Sequence, residues 1–276
     1  MSETKLQKLQ PIKWHGGKSY LAKRLIALMP EHTHYAEPFA GGLSVLLRKS
    51  CEGISETVND LNSELSNFWR VLADPQLFHR FYRIVEAIPL SQQLFDCVDA
   101  SGVLWMSDHR KISRAIKFFV RARQSRQGLM RDYTTPTRRT RRGMNEQVSA
   151  WLTAVDGLPD VHRRLRRVEI RNMPAVEFIR KYDHAGALFY CDPPYLHQTR
   201  SSIDEYACEM TEEQHEELLD RLPCINGKFL LSGYPSEMYD DWAGRHGYRC
   251  ERFEIDNKAS SAKQKPVKTE CVWMNY

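Results

Sequence analysis

Long apolar runs are missing from this 276-residue chain. No window approaches the run of about 18 apolar residues that a membrane-spanning helix needs. Residues 1–10 are polar and of mixed charge, without the apolar centre or small-residue cleavage site of a signal peptide. Internal repeats, low-complexity tracts and Gly/Ser linkers are also absent. Together with 42% hydrophobic and 27% charged residues, these absences predict a soluble globular protein without a membrane anchor.

The pairs and clusters that hold metals or disulfides are missing as well. The seven cysteines are odd in number, scattered, and form no C-x-x-C pair. The ten histidines form no H-E-x-x-H, and no H-x-E precedes a suitable cysteine pair. This argues against a metal hydrolase or a zinc deaminase and predicts no metal site. A reducing cytoplasm is the compartment that this cysteine usage favours.

Acidic residues are nearly absent from one stretch of the chain. Between residues 110 and 142, twelve lysines and arginines face one acid, Asp132, although the formal net charge of the whole chain is only +5. Apolar residues at helical spacing (Ala115, Phe118, Phe119 and Ala122) predict a buried helix face, opposite the arginines. A solvated surface is one interpretation, and contact with the phosphates of a polyanion is the other. The arginines proposed for such contact are Arg121, Arg123, Arg126, Arg131, Arg138, Arg139, Arg141 and Arg142.

Strand and helix patterns alternate at both ends of the chain. The apolar residues Tyr35, Ala36, Pro38 and Phe39 precede Gly41 and Gly42, and Leu43, Val45, Leu46 and Leu47 follow them. This pattern predicts a strand, a tight turn and a helix. A second strand at 57–60 precedes another helix. Further strands are predicted at 168–170, 187–191 and 228–232, and 248–255 pairs with 269–275 across a Lys/Ser-rich loop as an antiparallel hairpin. This order predicts an α/β fold with a mostly parallel sheet.

The middle of the chain has a different pattern. Helical periodicity, aromatics and arginines dominate residues 73–165, with a loop at 133–137. We therefore predict a discontinuous sheet domain, 1–72 and 166–276, interrupted by a basic helical insertion, 73–165.

The most specific motif is Asp192-Pro193-Pro194-Tyr195, directly after the apolar strand that ends at Cys191. In open α/β sheets, ligands bind beyond the carboxyl ends of the strands. Consecutive prolines stiffen the backbone, so the Asp192 carboxylate and the Pro193 carbonyl can accept both hydrogens of an exocyclic amine while Tyr195 stacks on its ring. This arrangement suits methylation of an aminated base. An Asp-Pro turn that only caps the strand is the structural alternative.

Four motifs in a fixed order resemble a known family: W-x-G-G-K at 14–18, E-P-F-A-G-G at 37–42, N-D-L-N at 59–62 and D-P-P-Y-L at 192–196. They are similar to those of the Dam-like, class D12 (alpha group) DNA adenine-N6 methyltransferases, and residues 270–276 resemble the last strand of that family. The resemblance implies a Rossmann-like S-adenosylmethionine (AdoMet)-dependent methyltransferase sheet, with the insertion as target-recognition domain. It implies catalysis by Asp192, Pro193, Pro194 and Tyr195.

The resemblance also implies a cofactor site. A phosphate loop is excluded because position 12 is Ile12 instead of glycine. An acid about twenty residues after a glycine turn suits ribose hydroxyls, although Asp60 could instead cap the following helix. The residues implied for AdoMet binding are Trp14, Gly17, Lys18, Glu37, Phe39, Gly41, Gly42, Asp60 and Asp192.

The function that follows is methyl transfer from AdoMet to the N6 amine of an adenine flipped out of double-stranded DNA, by a cytoplasmic bacterial or phage-encoded enzyme. Cytosine-N4 in DNA, adenine-N6 in RNA, and an inactive DNA-binding relative stay open as alternatives. The sequence also leaves open whether the enzyme has a partner restriction endonuclease or acts alone, and whether it is a monomer or a weak dimer.

Overall fold

The computed structural model describes residues 9–100, 110–196, 209–256 and 267–276. The strands are β1 His34–Glu37, β2 Ser55–Asn59, β3 Thr140–Arg141, β4 Met144–Asn145, β5 Val168–Arg171, β6 Ala187–Cys191, β7 Lys228–Gly233, β8 Arg249–Asp256 and β9 Val267–Met274. The α-helices are α1 Ala22–Leu28, α2 Ser63–Ala73, α3 Pro75–Val85, α4 Gln92–Ala100, α5 Arg110–Gln124, α6 Glu146–Asp156, α7 Leu158–Leu165, α8 Ala175–Tyr182, α9 Glu212–Arg221 and α10 Glu237–His246.

The chain forms two compact units. The first contains the helices α1–α7, the small β3–β4 hairpin and β5, and it consists of Met1–Leu28, Gly41–Glu52 and Asn62–Asn172. The second contains the other six strands and α8–α10, and it consists of Met29–Ala40, Gly53–Leu61 and Met173–Tyr276. The boundaries at 73 and 165, and the role of the insertion as a recognition domain, stay predictions.

The strands of the second unit pair in the order β2-β1-β6-β7-β9-β8. Pairing is parallel from β2 to β7, and β9 is antiparallel to both β7 and β8. The predicted α/β class, with a mostly parallel sheet and an antiparallel hairpin at the end, is therefore confirmed. The predicted Lys/Ser-rich connection of this hairpin at 257–266 lies outside the described residues.

Alternate residues of these strands build the core of the second unit. Phe189, Cys191 and Phe229 project to one face of the sheet and pack with Leu218 and Trp242 from the covering helices. All five are at most 2% exposed. Burying a large apolar side chain contributes about 1.5–3 kcal/mol, so this cluster holds the strand ends in place. Cys191 is a core residue, as its position in an apolar strand predicted, and burial raises the pKa of its thiol.

Packing of aromatic side chains dominates the first unit. Helix α5 buries Ala115, Phe118, Phe119 and Ala122, which confirms the predicted face. The ring of Phe119 stacks on Phe68 of α2 at 5.9 Å between centroids. The first half of the basic stretch, Arg110–Gln124, is therefore anchored in the core of the first unit through α5.

The predicted helix after Gly42 is wrong. Residues 44–48 form consecutive turns, with bonds from Leu47 N to Leu43 O and from Lys49 N to Val45 O. The helical bond between these two is replaced: Arg48 N donates to Val45 O, and the Ser44 carbonyl accepts from the Arg48 guanidinium at 2.9 Å. The apolar residues are buried as a helix face would be, so their spacing alone could not distinguish the two structures.

Candidate active site

Parallel strands of the second unit end together at one edge of its sheet. At this edge β1 ends at Glu37, Asp60 follows β2, Asp192 follows β6 and Tyr234 follows β7. Gly233 of β7 pairs with Cys271 of β9, which brings the preceding residue of β9, Glu270, to the same edge. This is where α/β sheets bind their ligands.

The hydroxyl of Tyr195 bridges two carboxylates. It donates to Oε1 of Glu270 and lies 3.3 Å from Oδ1 of Asp192. Tyr195 is 5% exposed and Glu270 is 1% exposed, whereas Asp192 is half-buried. The DPPY segment is therefore tied to β9 through its last residue, and the Asp192 side chain reaches solvent from a fixed backbone.

Burial and negative charge keep Tyr195 protonated. Burial raises the pKa of its hydroxyl well above the usual value, and the carboxylates of Asp192 and Glu270 raise it further. A neutral phenol is a donor, which is what two nearby acceptors require. Tyr195 therefore fixes its own ring and limits the repulsion between the acids.

A second aromatic residue packs against Tyr195. The ring of Tyr234 meets it at 70° with centroids 4.6 Å apart, and Nζ of Lys268 lies 5.0 Å from the centroid of Tyr234. Edge-to-face pairs and cation–π contacts each contribute on the order of 1 kcal/mol. The two rings and the ammonium therefore pack as one cluster, which reaches Asp192 through the Tyr195 hydroxyl.

The loops after β1 and β2 are held by Asn59. Its buried amide donates to the carbonyls of Pro38 and Met173 at 3.0 Å and accepts from the Met173 amide at 3.0 Å. Phe39 and Asp60, the two adjoining residues predicted for the cofactor, are thereby fixed at the strand ends.

Two carboxylates at this edge have different surroundings. Glu37 is 2% exposed and accepts from the Tyr35 hydroxyl at 2.8 Å, whereas Asp60 is half-buried. The cap of α2 is Asn62, whose side chain accepts from the amides of Glu64 and Leu65. Capping is thus supplied by Asn62, and the carboxylate of Asp60 suits ribose hydroxyls.

In the first unit, Trp14 packs on the glycine turn. Ideal Cβ atoms on Gly41 and Gly42 would come within 2.7 Å of Trp14 Nε1 and 2.8 Å of Trp14 Cβ. The Gly17 amide donates to the Trp14 carbonyl at 3.2 Å. Four of the residues predicted for cofactor binding therefore lie together, and the close contact with the indole explains why glycine stands at 41 and 42.

Lys18 is folded back on its own loop. Its side chain is 4% exposed and its ammonium donates to the Gly16 carbonyl at 2.9 Å. A buried ammonium retains its charge only where acceptors surround it. Lys18 therefore stabilises its own loop. To contact a ligand, its ammonium has to leave the Gly16 carbonyl or bind the ligand and that carbonyl together.

We expect Gly41→Ala to destabilise the protein by about 2–4 kcal/mol. The φ of Gly41 is 45°, and the added methyl group would overlap the Trp14 indole. Urea unfolding measures the free energy. Gly244→Ala in α10 is the control: its Cβ has nothing within 4 Å, so alanine there should stabilise by up to about 1 kcal/mol. Equal stability of Gly41→Ala and wild type would refute the packing.

The predicted DNA-contacting arginines fall into two groups. Arg121 donates to the Met130 carbonyl at 3.3 Å and lies 4.3 Å above the Phe95 ring, and Arg123 donates to the Ala150 carbonyl at 2.8 Å. These two side chains are partly used for internal packing. The exposed group consists of Arg126, Arg131, Arg138, Arg139, Arg141 and Arg142.

Several residues of the site have no local sequence signal. Tyr234 and Glu270 contact Tyr195 from 39 and 75 positions away, and Lys268 contacts Tyr234, although residues 270–276 resemble the last strand of the family. For Asn59, the sequence signal is only its place in the N-D-L-N motif. Within the described ranges, no group of three metal-binding side chains occurs, and no helix there is long and apolar enough to cross a membrane.

Comparison with known proteins agrees with this geometry. Residues 14–252 match the family model described as D12 class N6 adenine-specific DNA methyltransferase. One relative is the DNA N-6-adenine-methyltransferase of Escherichia phage P1, 32% identical over 95 residues. That match covers 30% of this chain and only 12% of the phage protein. Because the family match runs from the W-x-G-G-K motif past the sheet edge that carries DPPY, the chain belongs to the D12 class N6 adenine-specific DNA methyltransferases.

Proposed function

We propose that this protein transfers a methyl group from AdoMet to the N6 amine of adenine in double-stranded DNA. The observation that carries the proposal is the Asp192-Pro193-Pro194-Tyr195 segment, held at the sheet edge by the buried Tyr195–Glu270 hydrogen bond. Family membership supports the same reaction.

The residues of this segment define how the amine is held. The Asp192 carboxylate and the Pro193 carbonyl each accept one amino hydrogen, which directs the nitrogen lone pair away from both. AdoMet supplies the electrophilic methyl group. The amine nitrogen would form the new bond to the methyl carbon, the electrons of the carbon–sulfur bond would leave with the neutral thioether, and the surplus proton of the amine would pass to solvent. Orientation and hydrogen bonding at the developing charge are the contributions of the chain.

The target adenine has to leave the duplex, because its amine is not accessible to a protein pocket within the stack. Tyr195 is only 5% exposed, so stacking of the base on its ring requires neighbouring side chains to move. Tyr234 contacts the Tyr195 ring edge to face, so it is one of the side chains that have to move. Base flipping and opening of the pocket are thus coupled in this proposal.

The residues at the sheet edge fit an adenosine-type cofactor. The half-buried Asp60 carboxylate can accept from ribose hydroxyls, and Phe39 adjoins it at the end of the neighbouring strand. The buried Glu37 lies on the same strand end. In the first unit, the loop of Trp14, Gly17 and Lys18 against Gly41 and Gly42 is proposed to hold the methionine part.

The exposed arginines are proposed to contact DNA phosphates. We expect Arg138→Gln combined with Arg139→Gln to lower the slope of log affinity against log salt by about 0.9 for each phosphate that the variant no longer neutralises. The measurement is duplex binding by fluorescence anisotropy from low to moderate salt. Both side chains are exposed, so folding is preserved.

A matched pair controls for the loss of charge. Arg180→Gln combined with Lys181→Gln removes the same charge from exposed positions of α8 and should leave the slope unchanged. If both double variants change the slope equally, the loop at 138–139 is ordinary charged surface.

Two measurements test the activity. Titration with AdoMet should show saturable binding, and incubation with radiolabelled AdoMet should place label on unmethylated duplex DNA and not on RNA of the same sequence. Saturable DNA binding without AdoMet binding would identify an inactive DNA-binding relative. Label on RNA alone would identify RNA, and not duplex DNA, as the substrate.

A further inference from the structure

A small pocket in the first unit is lined by none of the residues predicted for the cofactor. Its volume is about 200 Å³, and one wall is the face of α6 at Ala150, Thr153 and Ala154. Gln10, Arg123, Arg141 and Thr153 supply its polar side chains. The pocket is smaller than the usual site for a drug-sized ligand, and it suits a small polar group with its hydration.

The cations around this pocket lack matching acids. Arg123 is largely buried; one guanidinium nitrogen donates to the Ala150 carbonyl, and its buried Nε has no hydrogen-bond partner among the described residues. Burial lowers the pKa of Arg123 to about 10. Burial and the nearby charge of Arg123 also lower the pKa of Lys13.

Two further arginines border the same region. Arg141 is exposed at the pocket, and Arg142 donates to the Thr153 hydroxyl at 3.0 Å. In the described part of the chain, neither forms an ion pair with a carboxylate, and the same holds for Lys13 and Arg123. Buried cations without an anion are costly, and an unsatisfied buried N–H adds to that cost.

We propose that this pocket binds a phosphate group, with the Arg123 and Arg141 guanidinium groups and the Gln10 amide as donors. A phosphate has several acceptor oxygens, and arginine matches its geometry with paired N–H groups. The bound anion satisfies Arg123 Nε and reduces the repulsion between Arg123 and Lys13. The phosphate can belong to the DNA backbone, in which case the site extends the proposed function, or to a free phosphate compound.

The first test uses inorganic phosphate on the full chain without DNA or AdoMet. Thermal unfolding is followed as phosphate replaces chloride at constant ionic strength. We expect a saturable rise of the melting temperature and a dissociation constant about tenfold weaker in Arg141→Gln, the loss typical of one charge-assisted hydrogen bond.

Two variants make this test specific. Arg166→Gln removes an exposed arginine of the same unit that does not line the pocket, and it should retain the wild-type dissociation constant. Arg141 is exposed, so its variant folds, whereas Arg123 also holds the Ala150 carbonyl and is a poorer choice. No saturable effect, or equal weakening in both variants, would overturn the proposal.

A second pair of measurements identifies the source of the phosphate. If the site takes a DNA phosphate, inorganic phosphate competes with duplex DNA at constant ionic strength, and Arg141→Gln lowers the salt slope by about 0.9. If the site takes a free phosphate compound, phosphate still raises the melting temperature, but it does not compete with duplex DNA and Arg141→Gln leaves the salt slope unchanged. Both results support the site. Because no step needs methyl transfer, failure of the proposed activity would leave this result unaffected.

Discussion

Asp192→Ala should reduce methyl transfer by about a thousandfold or more, because an acceptor that orients the amine and stabilises its developing positive charge is removed. The rate is measured in a single turnover with saturating AdoMet and DNA. Asp192→Asn keeps the shape and replaces the carboxylate by an uncharged amide, so a loss of about a hundredfold or more is expected.

Folding and DNA binding of the Asp192 variants should be preserved. Asp192 is half-buried, and the Tyr195 hydroxyl keeps its buried acceptor, Glu270. The control is Asp241→Ala, which removes an exposed acid of α10 and should retain the wild-type rate. An Asp192→Ala rate within tenfold of wild type would exclude Asp192 from catalysis.

Glu270→Ala should lower both stability and turnover. It removes the buried acceptor of the Tyr195 hydroxyl and leaves only the longer contact to Asp192 Oδ1 at 3.3 Å, so we expect a loss of about 1–3 kcal/mol. Because the Tyr195 ring is then less fixed, the single-turnover rate should fall more than the affinity for AdoMet. Glu270→Gln retains an oxygen acceptor and should recover most of both losses.

A double-mutant cycle separates this bond from general damage to β9. Tyr195→Phe removes only the hydroxyl, so Glu270→Ala should cost clearly less in the Tyr195→Phe background than in wild type. The coupling is measured from urea unfolding of the four proteins. If Glu270→Ala costs the same in both backgrounds, Glu270 does not act through Tyr195.

Local patterns were enough to predict much of the fold. The strand Ala187–Cys191 was predicted to the residue, and the buried face of α5 followed from its helical spacing. The helix predicted after Gly42 was wrong because apolar spacing indicates burial, whereas the Arg48 amide bonds to Val45 O and not to Ser44 O as a helix requires.

The site was predictable only in part, because its contacts are not local. DPPY itself stood out as a stiff acceptor segment after a buried strand. Its anchor, Glu270, is 75 residues away and reaches Tyr195 only because β9 runs antiparallel to β7. Likewise, no spacing rule separates Arg123, which donates to the Ala150 carbonyl, from the exposed Arg126 three positions later.

The identity of the methylated nucleoside tests the proposed reaction directly. Purified protein is incubated with isotopically labelled AdoMet and unmethylated duplex DNA, and the DNA is digested and analysed by mass spectrometry. We expect label on N6-methyldeoxyadenosine, and we expect Asp192→Ala to abolish it. Label on N4-methyldeoxycytidine, or N6 label that persists in Asp192→Ala, would refute adenine methylation through Asp192.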